Sequence, residues 1–397
     1  MYFLDIAASM IFKRLDDMEK IKILFVHGKL VCGGAEQALY DLICLLDKTK
    51  FDVSVLVQYA GGIWEQKFRD AGIEVIDIWN WQKKSKNPAV KLTNFFKRKI
   101  IKYLSAKNPA KLIDVCLQKK YDIIVSYSVW SNYRMGLHRH SKAVYYIHCD
   151  ANTNEPMRNL IMDMKDLLPE YDQFVCVSDV ARMSFEALTG ITDRVAAIWN
   201  PLNSDRIRKL AEAPVDISSD VPVICAVGRL AQEKGFARLI RIHKDILEMG
   251  IPHKLVIVGA GPEKENLEHT IEETKTTNSV IMTGYRANPY PYMKNAMFLA
   301  CSSYTEGLPV IAMEALSLGI PIVSAVPAIG ELFGGDMCGI VTENDDESLK
   351  QGLIRMLTDQ EYYLRAKKGA ERRSCIFDGN QMVKKVEDMF IRLAKSE

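Results

Sequence analysis

Two glutamates eight positions apart, Glu306 and Glu314, stand in the run YTEGLPVIAMEALSLG. Pro309 suits a first helical turn, which leaves Glu306 in a loop and puts Glu314 on the helix behind it. The amides around Gly307, Leu308 and Pro309 then face the open end of that helix, where unpaired N–H groups and the helix dipole favour a phosphate. One carboxylate can accept hydrogen bonds from the hydroxyls of a sugar, the other from those of a ribose. The same spacing also fits an ordinary amphipathic helix with exposed acids.

A cationic counterpart lies in VGRLAQEKGF, where Arg229 and Lys234 follow a strand end in a glycine-bounded loop. Two cations there can neutralise a departing nucleoside diphosphate. One unit-charge contact at 4 Å is worth about 4 kcal/mol at an effective dielectric near 20, before desolvation. Taken alone, the pair also reads as a solvated basic loop. In VGAGPEKENL, Gly259 and Gly261 separate a strand from a helix and let backbone approach a phosphate. The full GxGxxG pattern is missing, and a tight turn explains this piece equally. Near the N-terminus, KLVCGGAEQAL sets Gly33 and Gly34 before a helix with Glu36 in its first turn. YYIHCD sets His148 and Asp150 at the end of an apolar strand, where open α/β sheets bind ligands.

The elements that must hold these residues alternate along the chain. IKILFVH (21–27), VSVLVQ (53–58), VIDIW, DIIVSYS, AVYYIH, FVCVS and VAAIWN read as strands up to residue 200. VPVICAVG (221–228), KLVIVGAG (254–261), SVIMTGY (279–285), MFLACSS (297–303) and PIVSA (321–325) repeat the scheme, with helices predicted over 236–250 and 309–319. Short apolar strands between helices argue parallel sheets covered on both faces. At 397 residues there is room for two such domains. Asn200-Pro201 and Pro214 break the pattern between them, and two such sheets in tandem suggest a cleft lined by loops from both.

A net charge of only +2 argues against a nucleic-acid partner. The nine cysteines (Cys32, Cys44, Cys116, Cys149, Cys176, Cys225, Cys301, Cys338, Cys375) form no CxxC pair and are odd in number. Several sit in apolar strands, which fits free thiols in a reducing cytoplasm and no zinc site. No apolar run approaches the roughly 20 residues needed to span a bilayer. Residues 1–17 read as an appendage before a natural start at Met18. Residues 83–111 hold ten Lys/Arg and no Asp or Glu, interleaved with Val90, Leu92, Phe95, Phe96, Ile100, Ile101, Tyr103 and Leu104. That composition fits an anionic membrane surface, or a solvated surface helix.

Together the motifs resemble the retaining glycosyltransferase family 4 (glycosyl transferases group 1), which has the GT-B fold. The resemblance runs from about Ile21 to the C-terminus. It is strongest over 222–330, where GRLxxEKG, GxGP and E-x7-E occur in order. The first half matches through the GGAE loop, His148 and the VSD stretch at Val177–Asp179. The resemblance implies an α/β chain of two Rossmann-like domains with parallel sheets facing across a central cleft. Residues 1–17 would be an extension, 18–205 the acceptor domain, 206–375 the nucleotide-sugar donor domain, and 376–397 a helix packing back on the first domain. It implies that Arg229 and Lys234 hold the donor diphosphate, Glu306 the donor sugar and Glu314 the ribose. Amides near Gly307 and Leu308 would complete the phosphate site, with His148 beside the sugar and Gly33–Gly34 close by. Catalysis would then rest on Glu306, His148, Arg229 and Lys234, with no essential metal or other cofactor.

The activity so implied is sugar transfer, with retention, from a nucleotide-sugar (UDP being the commonest carrier) to a glycan or lipid-linked acceptor. The setting would be cell-surface polysaccharide or glycolipid synthesis, in the cytoplasm, with residues 83–111 on the inner membrane face. A sugar-nucleotide epimerase and a non-catalytic subunit assisting a partner transferase are the alternatives.

Overall fold

The computed structural model describes residues 20–31, 33–78, 87–107, 111, 117, 119–128, 137–138, 140–215, 217 and 219–396. The expectations for residues 1–17, Cys32, Cys116, Lys83, Lys84 and Lys86 lie outside the described residues.

The first sheet comprises β1 (Ile21–His27), β2 (Phe51–Val57), β3 (Glu74–Asp77), β4 (Ile123–Ser128), β5 (Lys142–Ile147), β6 (Gln173–Cys176) and β7 (Val195–Ala197), in the order β3-β2-β1-β4-β5-β6-β7. The second comprises β8 (Val223–Val227), β9 (Lys254–Val258), β10 (Val280–Gly284), β11 (Phe298–Cys301), β12 (Ile322–Ser324) and β13 (Gly339–Val341), in the order β10-β9-β8-β11-β12-β13. Strand pairing is parallel in both.

The central strands are apolar throughout because both faces are covered. Ile23 and Phe25 enter one core while Leu24 and Val26 enter the other, the period of two that a pleated strand imposes. Val223 and Cys225 against Ile224 and Ala226 repeat this in β8. In each sheet the chain builds outward from its first strand, then returns to add strands on the other side. β1 and β8 therefore border the switch points, and the loops after them diverge to leave a crevice.

Seven helices matter for the site: α1 (Gly34–Leu45), α2 (Pro88–Lys107), α3 (Ser204–Leu210), α4 (Phe236–Glu248), α5 (Tyr290–Lys294), α6 (Val310–Ser317) and α7 (Gly379–Lys395). The helix expected over 309–319 is shorter: Pro309 is its extended N-cap (ψ 119°), and Gly319 at φ +66° turns the chain away after it. The helix expected over 236–250 ends at Glu248, with Gly250 at φ +79°. α7 returns from the second domain to the first. Asp378 caps it by accepting from the amides of Asn380 and Gln381. Its Val383, Val386, Met389, Phe390 and Leu393 join the core of the first sheet, where the Phe390 ring meets Phe25 and Phe51 edge-on.

Ile101 and Leu104 anchor α2 on a core beside β1, β2 and β4. Leu92, Phe95, Phe96, Ile100 and Tyr103 point outward instead. Among the described residues no helix is long and apolar enough to cross a membrane. The described cysteines are free.

Candidate active site between the two sheets

The loop after β8 is strapped to the end of β11. Gly235 sits at φ +63°, and a Cβ there would stand 2.2 Å from the Ser302 carbonyl oxygen, so only glycine fits. Ser302 Oγ donates to the Lys234 carbonyl at 2.9 Å. Behind it Arg238, buried on α4, donates to the Ser302 carbonyl at 2.8 Å and to Asn344 Oδ1 at 2.8 Å. Its guanidinium also lies over the Tyr304 ring at 4.2 Å. The loop carrying Glu306 is thereby fixed from below.

On this frame Lys234 Nζ donates to Glu306 Oε1, and Ser303 Oγ donates to the same oxygen at 2.9 Å. Burial opposes the charge on Lys234, but the Glu306 carboxylate offsets it and holds the ammonium above its ordinary range. Arg229 stays at the rim, more exposed, paired with Glu233 four residues on. Gly259 and Gly261 face that same loop. A Cβ on either would strike the Gly228 or Leu230 carbonyl oxygen, at 1.8 and 2.3 Å. The backbone approach these two glycines allow is therefore loop on loop.

The Glu306 loop also touches the first domain. A Cβ on Gly307 would stand 2.0 Å from the His148 carbonyl oxygen. Ser178 Oγ donates to the Gly307 carbonyl at 3.2 Å, and the amides of Asp179 and Val180 donate to Glu331 at 2.9 and 2.7 Å. The VSD stretch is thus an interdomain contact. Leu308 buries its side chain in the second core, and Pro309 opens α6. Val310 at the start of α6 faces Gly34 at the start of α1 across the cleft, with Gly33 as the N-cap of α1.

His148 follows β5. Its Nε2–H donates to the Tyr127 carbonyl at 2.6 Å, which leaves Nδ1 as an acceptor in the neutral ring. Burial pushes the imidazole down to about 4, with the Tyr127 bond opposing, so the ring is uncharged at neutral pH. Asp150 is spent on its own turn, accepting from the Asn152 amide at 2.9 Å and from Thr153 Oγ1 at 3.1 Å.

Glu314 differs sharply from Glu306. It is 6% exposed and accepts from the Tyr290 hydroxyl of α5 at 2.8 Å. Burial pushes its carboxyl up to about 7, with the Tyr290 bond and the Arg206 charge opposing. Arg206, on the interdomain helix α3, donates from Nη2 to both oxygens of Asp41 on α1, at 3.1 and 3.2 Å. Asp41 is 1% exposed and also accepts from Gln37 at 2.7 Å. Tyr290, Arg206, Asp41 and Arg238 escaped the sequence reading. A charged residue at a helix position that the apolar period assigns to the core, as Asp41 is, was the available signal.

The sequence-assigned residues thus fall into two groups. Lys234, Glu306, Gly307 and His148 converge at the cleft, with Arg229 at its rim and the Gly33–Gly34 loop opposite α6. Glu314, Gly259 and Gly261 are engaged with neighbouring protein groups. Among the described residues there is no cluster of three or more His, Cys, Asp or Glu suited to a metal ion.

Residues 208–373 match the family model of glycosyl transferases group 1, and residues 32–206 match that of glycosyltransferase family 4. The N-acetylgalactosamine-N,N'-diacetylbacillosaminyl-diphospho-undecaprenol 4-alpha-N-acetylgalactosaminyltransferase of Campylobacter jejuni is 34% identical over 184 residues, 46% of this chain and 49% of that enzyme. The capsular polysaccharide biosynthesis glycosyltransferase CapM of Staphylococcus aureus is 24% identical over 155 residues, 38% of this chain and 41% of that protein. The chain spans about half the length of the curated relatives it matches. The structure of Anabaena HepE in complex with UDP and glucose shares the fold, with a TM-score of 0.71 at 18% identity, over 94% of this chain and all of that one. With its two halves matched in chain order and both sheets shared with a solved relative, the chain belongs to the GT4 glycosyltransferases of the GT-B fold.

Proposed function

We propose that this protein is a retaining transferase that moves a sugar from a UDP-sugar to a glycan or lipid-linked acceptor in cell-surface polysaccharide or glycolipid synthesis. The observation that carries the reading is the Lys234–Glu306 pair, set where β8 and β11 end and directly under the His148 backbone. Transfer breaks the bond from the anomeric carbon to the diphosphate and forms one to the acceptor hydroxyl oxygen. The acceptor's proton leaves with the phosphate oxygen. Negative charge grows on that oxygen, and preorganised cations and amides act most strongly where charge develops. Lys234 and Arg229 supply the cations, and the amides of residues 307–309 at the open end of α6 supply the donors. Glu306 accepts from a donor-sugar hydroxyl, and His148 Nδ1 accepts from another. Attack on the face the diphosphate leaves gives retention. The assignment of UDP is supported by the complex of Anabaena HepE with UDP and glucose. The lipid-linked acceptor is supported by the diphospho-undecaprenol substrate in the name of the Campylobacter jejuni enzyme.

Helix α2 supports a membrane surface for the acceptor. It carries Lys91, Lys97, Arg98, Lys99, Lys102 and Lys107 with no acid, beside an outward row of Leu92, Phe95, Phe96 and Tyr103. Each basic residue near an anionic leaflet adds about 1 kcal/mol.

A melting screen against UDP, GDP, ADP and their sugar conjugates tests the donor. A ligand at 100 times its dissociation constant stabilises by about 2.7 kcal/mol. A clear shift with UDP and its conjugates supports the reading, and no shift with any nucleotide overturns it.

A further inference from the structure

The carboxyl end of β1 carries polar side chains that the diphosphate site does not use. His27 ends the strand, is 2% exposed, and neither ring nitrogen has a hydrogen-bond partner among the described residues. Glu36, in the first turn of α1, is 7% exposed, and its Oε1 stands 3.7 Å from His27 Nε2. That gap is too long for a direct hydrogen bond. The Tyr146 hydroxyl, two positions before His148, is buried without a partner as well. Buried polar atoms are nearly always paired, and one left bare costs stability. A concentration of bare atoms at the mouth of a switch-point crevice is the mark of a ligand site.

We propose that His27 and Glu36 form a subsite for one sugar hydroxyl in the cleft. A hydroxyl has one donor and two lone pairs. Set about 2.8 Å from both His27 Nε2 and Glu36 Oε1, it donates to the carboxyl and accepts the imidazole N–H. Phosphate is disfavoured beside a carboxyl, and burial with the neighbouring His148 pushes the His27 ring down to about 4, so it offers no cation. Hydroxyls are the groups a sugar transferase brings in number, and the subsite rests on that reading.

The surroundings agree. The His27 ring stacks on Tyr127 at 6.4 Å, and Tyr127 meets His148 at 4.6 Å, so the subsite borders the residue assigned to the donor sugar. A Cβ on Gly33 would stand 2.6 Å from Glu36 Oε2, so glycine there leaves the carboxyl its place. Tyr127 itself is held by its hydroxyl donating to Asn200 Oδ1 at 3.2 Å. Donor sugar and acceptor both present hydroxyls at this point, and the two sources separate experimentally.

His27→Phe keeps the ring on Tyr127 and removes both bare nitrogens, and Glu36→Gln keeps the shape. The melting temperature of H27F should equal or exceed that of the wild type. A fall of several degrees would mean that the nitrogens have protein partners, and would overturn the subsite. Titration calorimetry then compares UDP with UDP-glucose and UDP-N-acetylgalactosamine, and UDP release is followed with and without an undecaprenyl-diphosphate-linked saccharide. If the hydroxyl is the donor's, both variants bind the UDP-sugar about tenfold or more weakly and UDP as before. If it is the acceptor's, both nucleotides bind as before and the acceptor-dependent release falls about tenfold or more with a raised acceptor KM. Wild-type behaviour of both variants in every arm overturns the proposal, and so does an equal loss of UDP itself. A wild-type chain that binds no nucleotide overturns the transferase reading instead, while the melting comparison still decides on His27.

Discussion

The Tyr290 hydroxyl donates to Glu314 Oε1 at 2.8 Å inside the layer between the two domains, so the second glutamate of the motif is a buried carboxyl, partnered by a phenol. Glu306, eight positions earlier, is partnered by an ammonium. Two carboxyls of one motif therefore meet opposite electrostatic surroundings, the kind of contrast by which a site assigns different roles to chemically identical groups.

Tyr290→Phe tests this contrast through stability. The folded-state value of Glu314, about 7, lies above the ordinary 4.5. The folded chain therefore holds more protons between those values, and Glu314 makes stability fall as pH rises from about 4.5 to about 7. Losing the phenol penalises the ionised form most. The variant should lose about 1–3 kcal/mol at pH 8 and less at pH 5. Denaturant unfolding at the two pH values measures it, and a loss independent of pH would detach Glu314 from Tyr290. Glu314→Gln should flatten the slope over the same window.

Lys234→Ala and Arg229→Ala should each cost about 10²–10³ in turnover, the usual effect of removing one preorganised donor from developing charge. Lys234→Ala goes further, since among the described residues it leaves the Glu306 carboxylate with Ser303 and turns an ion pair into a net negative charge at the proposed diphosphate site. Circular dichroism and melting curves should stay close to wild type. Wild-type turnover in a folded variant would remove that residue from the leaving-group site.

Gly307→Ala should be disproportionately harmful for a single methyl. The added carbon would stand 2.0 Å from the His148 carbonyl oxygen, a backbone atom with nowhere to rotate. The Glu306 loop and the end of β5 must then part, and misplacement by about 1 Å can cost 10²-fold in rate. The expected result is a fall in kcat of that order with nucleotide affinity less affected, read by steady-state kinetics and calorimetry. Unchanged kcat would mean that transfer does not need the contact between the Glu306 loop and His148.

The alternating strands and the order of the motifs were legible because both follow from local rules. A doubly covered strand must be apolar, and Pro309 marks the start of the helix that separates Glu306 from Glu314. What was not legible is set by distance in the sequence. Asp41 and Arg206 lie 165 positions apart, and Glu314 and Tyr290 lie 24 apart. No periodicity announces such pairs. Gly259 and Gly261 illustrate the converse: their pattern was visible, but its cause is the close approach of Gly228 and Leu230, which only the fold reveals. On α2 the composition showed a basic apolar helix, and burial was needed to divide inward Ile101 and Leu104 from the outward row.

That outward row yields a further prediction. Leu92→Glu with Phe96→Glu should abolish flotation with anionic vesicles and leave nucleotide binding intact, because both residues are exposed and far from the Lys234 loop in the chain. Equal recovery of the wild-type protein with anionic and neutral vesicles would rule out electrostatic docking, since six basic residues without an acid should respond to surface charge and to salt.

A buried histidine pair in the second domain predicts the acid behaviour. His253 Nδ1–H donates to the Ile251 carbonyl at 2.9 Å, so its Nε2 is the acceptor for His243 Nδ1–H at 2.7 Å. His243 Nε2 lies 2.9 Å from Ser279 Oγ, whose hydroxyl donates to the Thr276 carbonyl at 3.1 Å. Both rings are buried. Burial lowers each of them, and the neighbouring His253 lowers His243 further, to about 3. The ordinary value is 6.5, so between pH 6.5 and about 3 the unfolded chain binds the proton that the folded one refuses. Stability must fall as pH drops through that window, by up to about 1.4 kcal/mol per pH unit for each such proton. His27 and His148, both lowered to about 4, add to the fall, while the raised carboxyls of Glu36 and Glu314 oppose it. His243→Met should therefore reduce the slope of unfolding free energy between pH 6.5 and 4.5 without cancelling it. An unchanged slope would mean that His243 binds its proton equally in the folded and unfolded chains, against its burial.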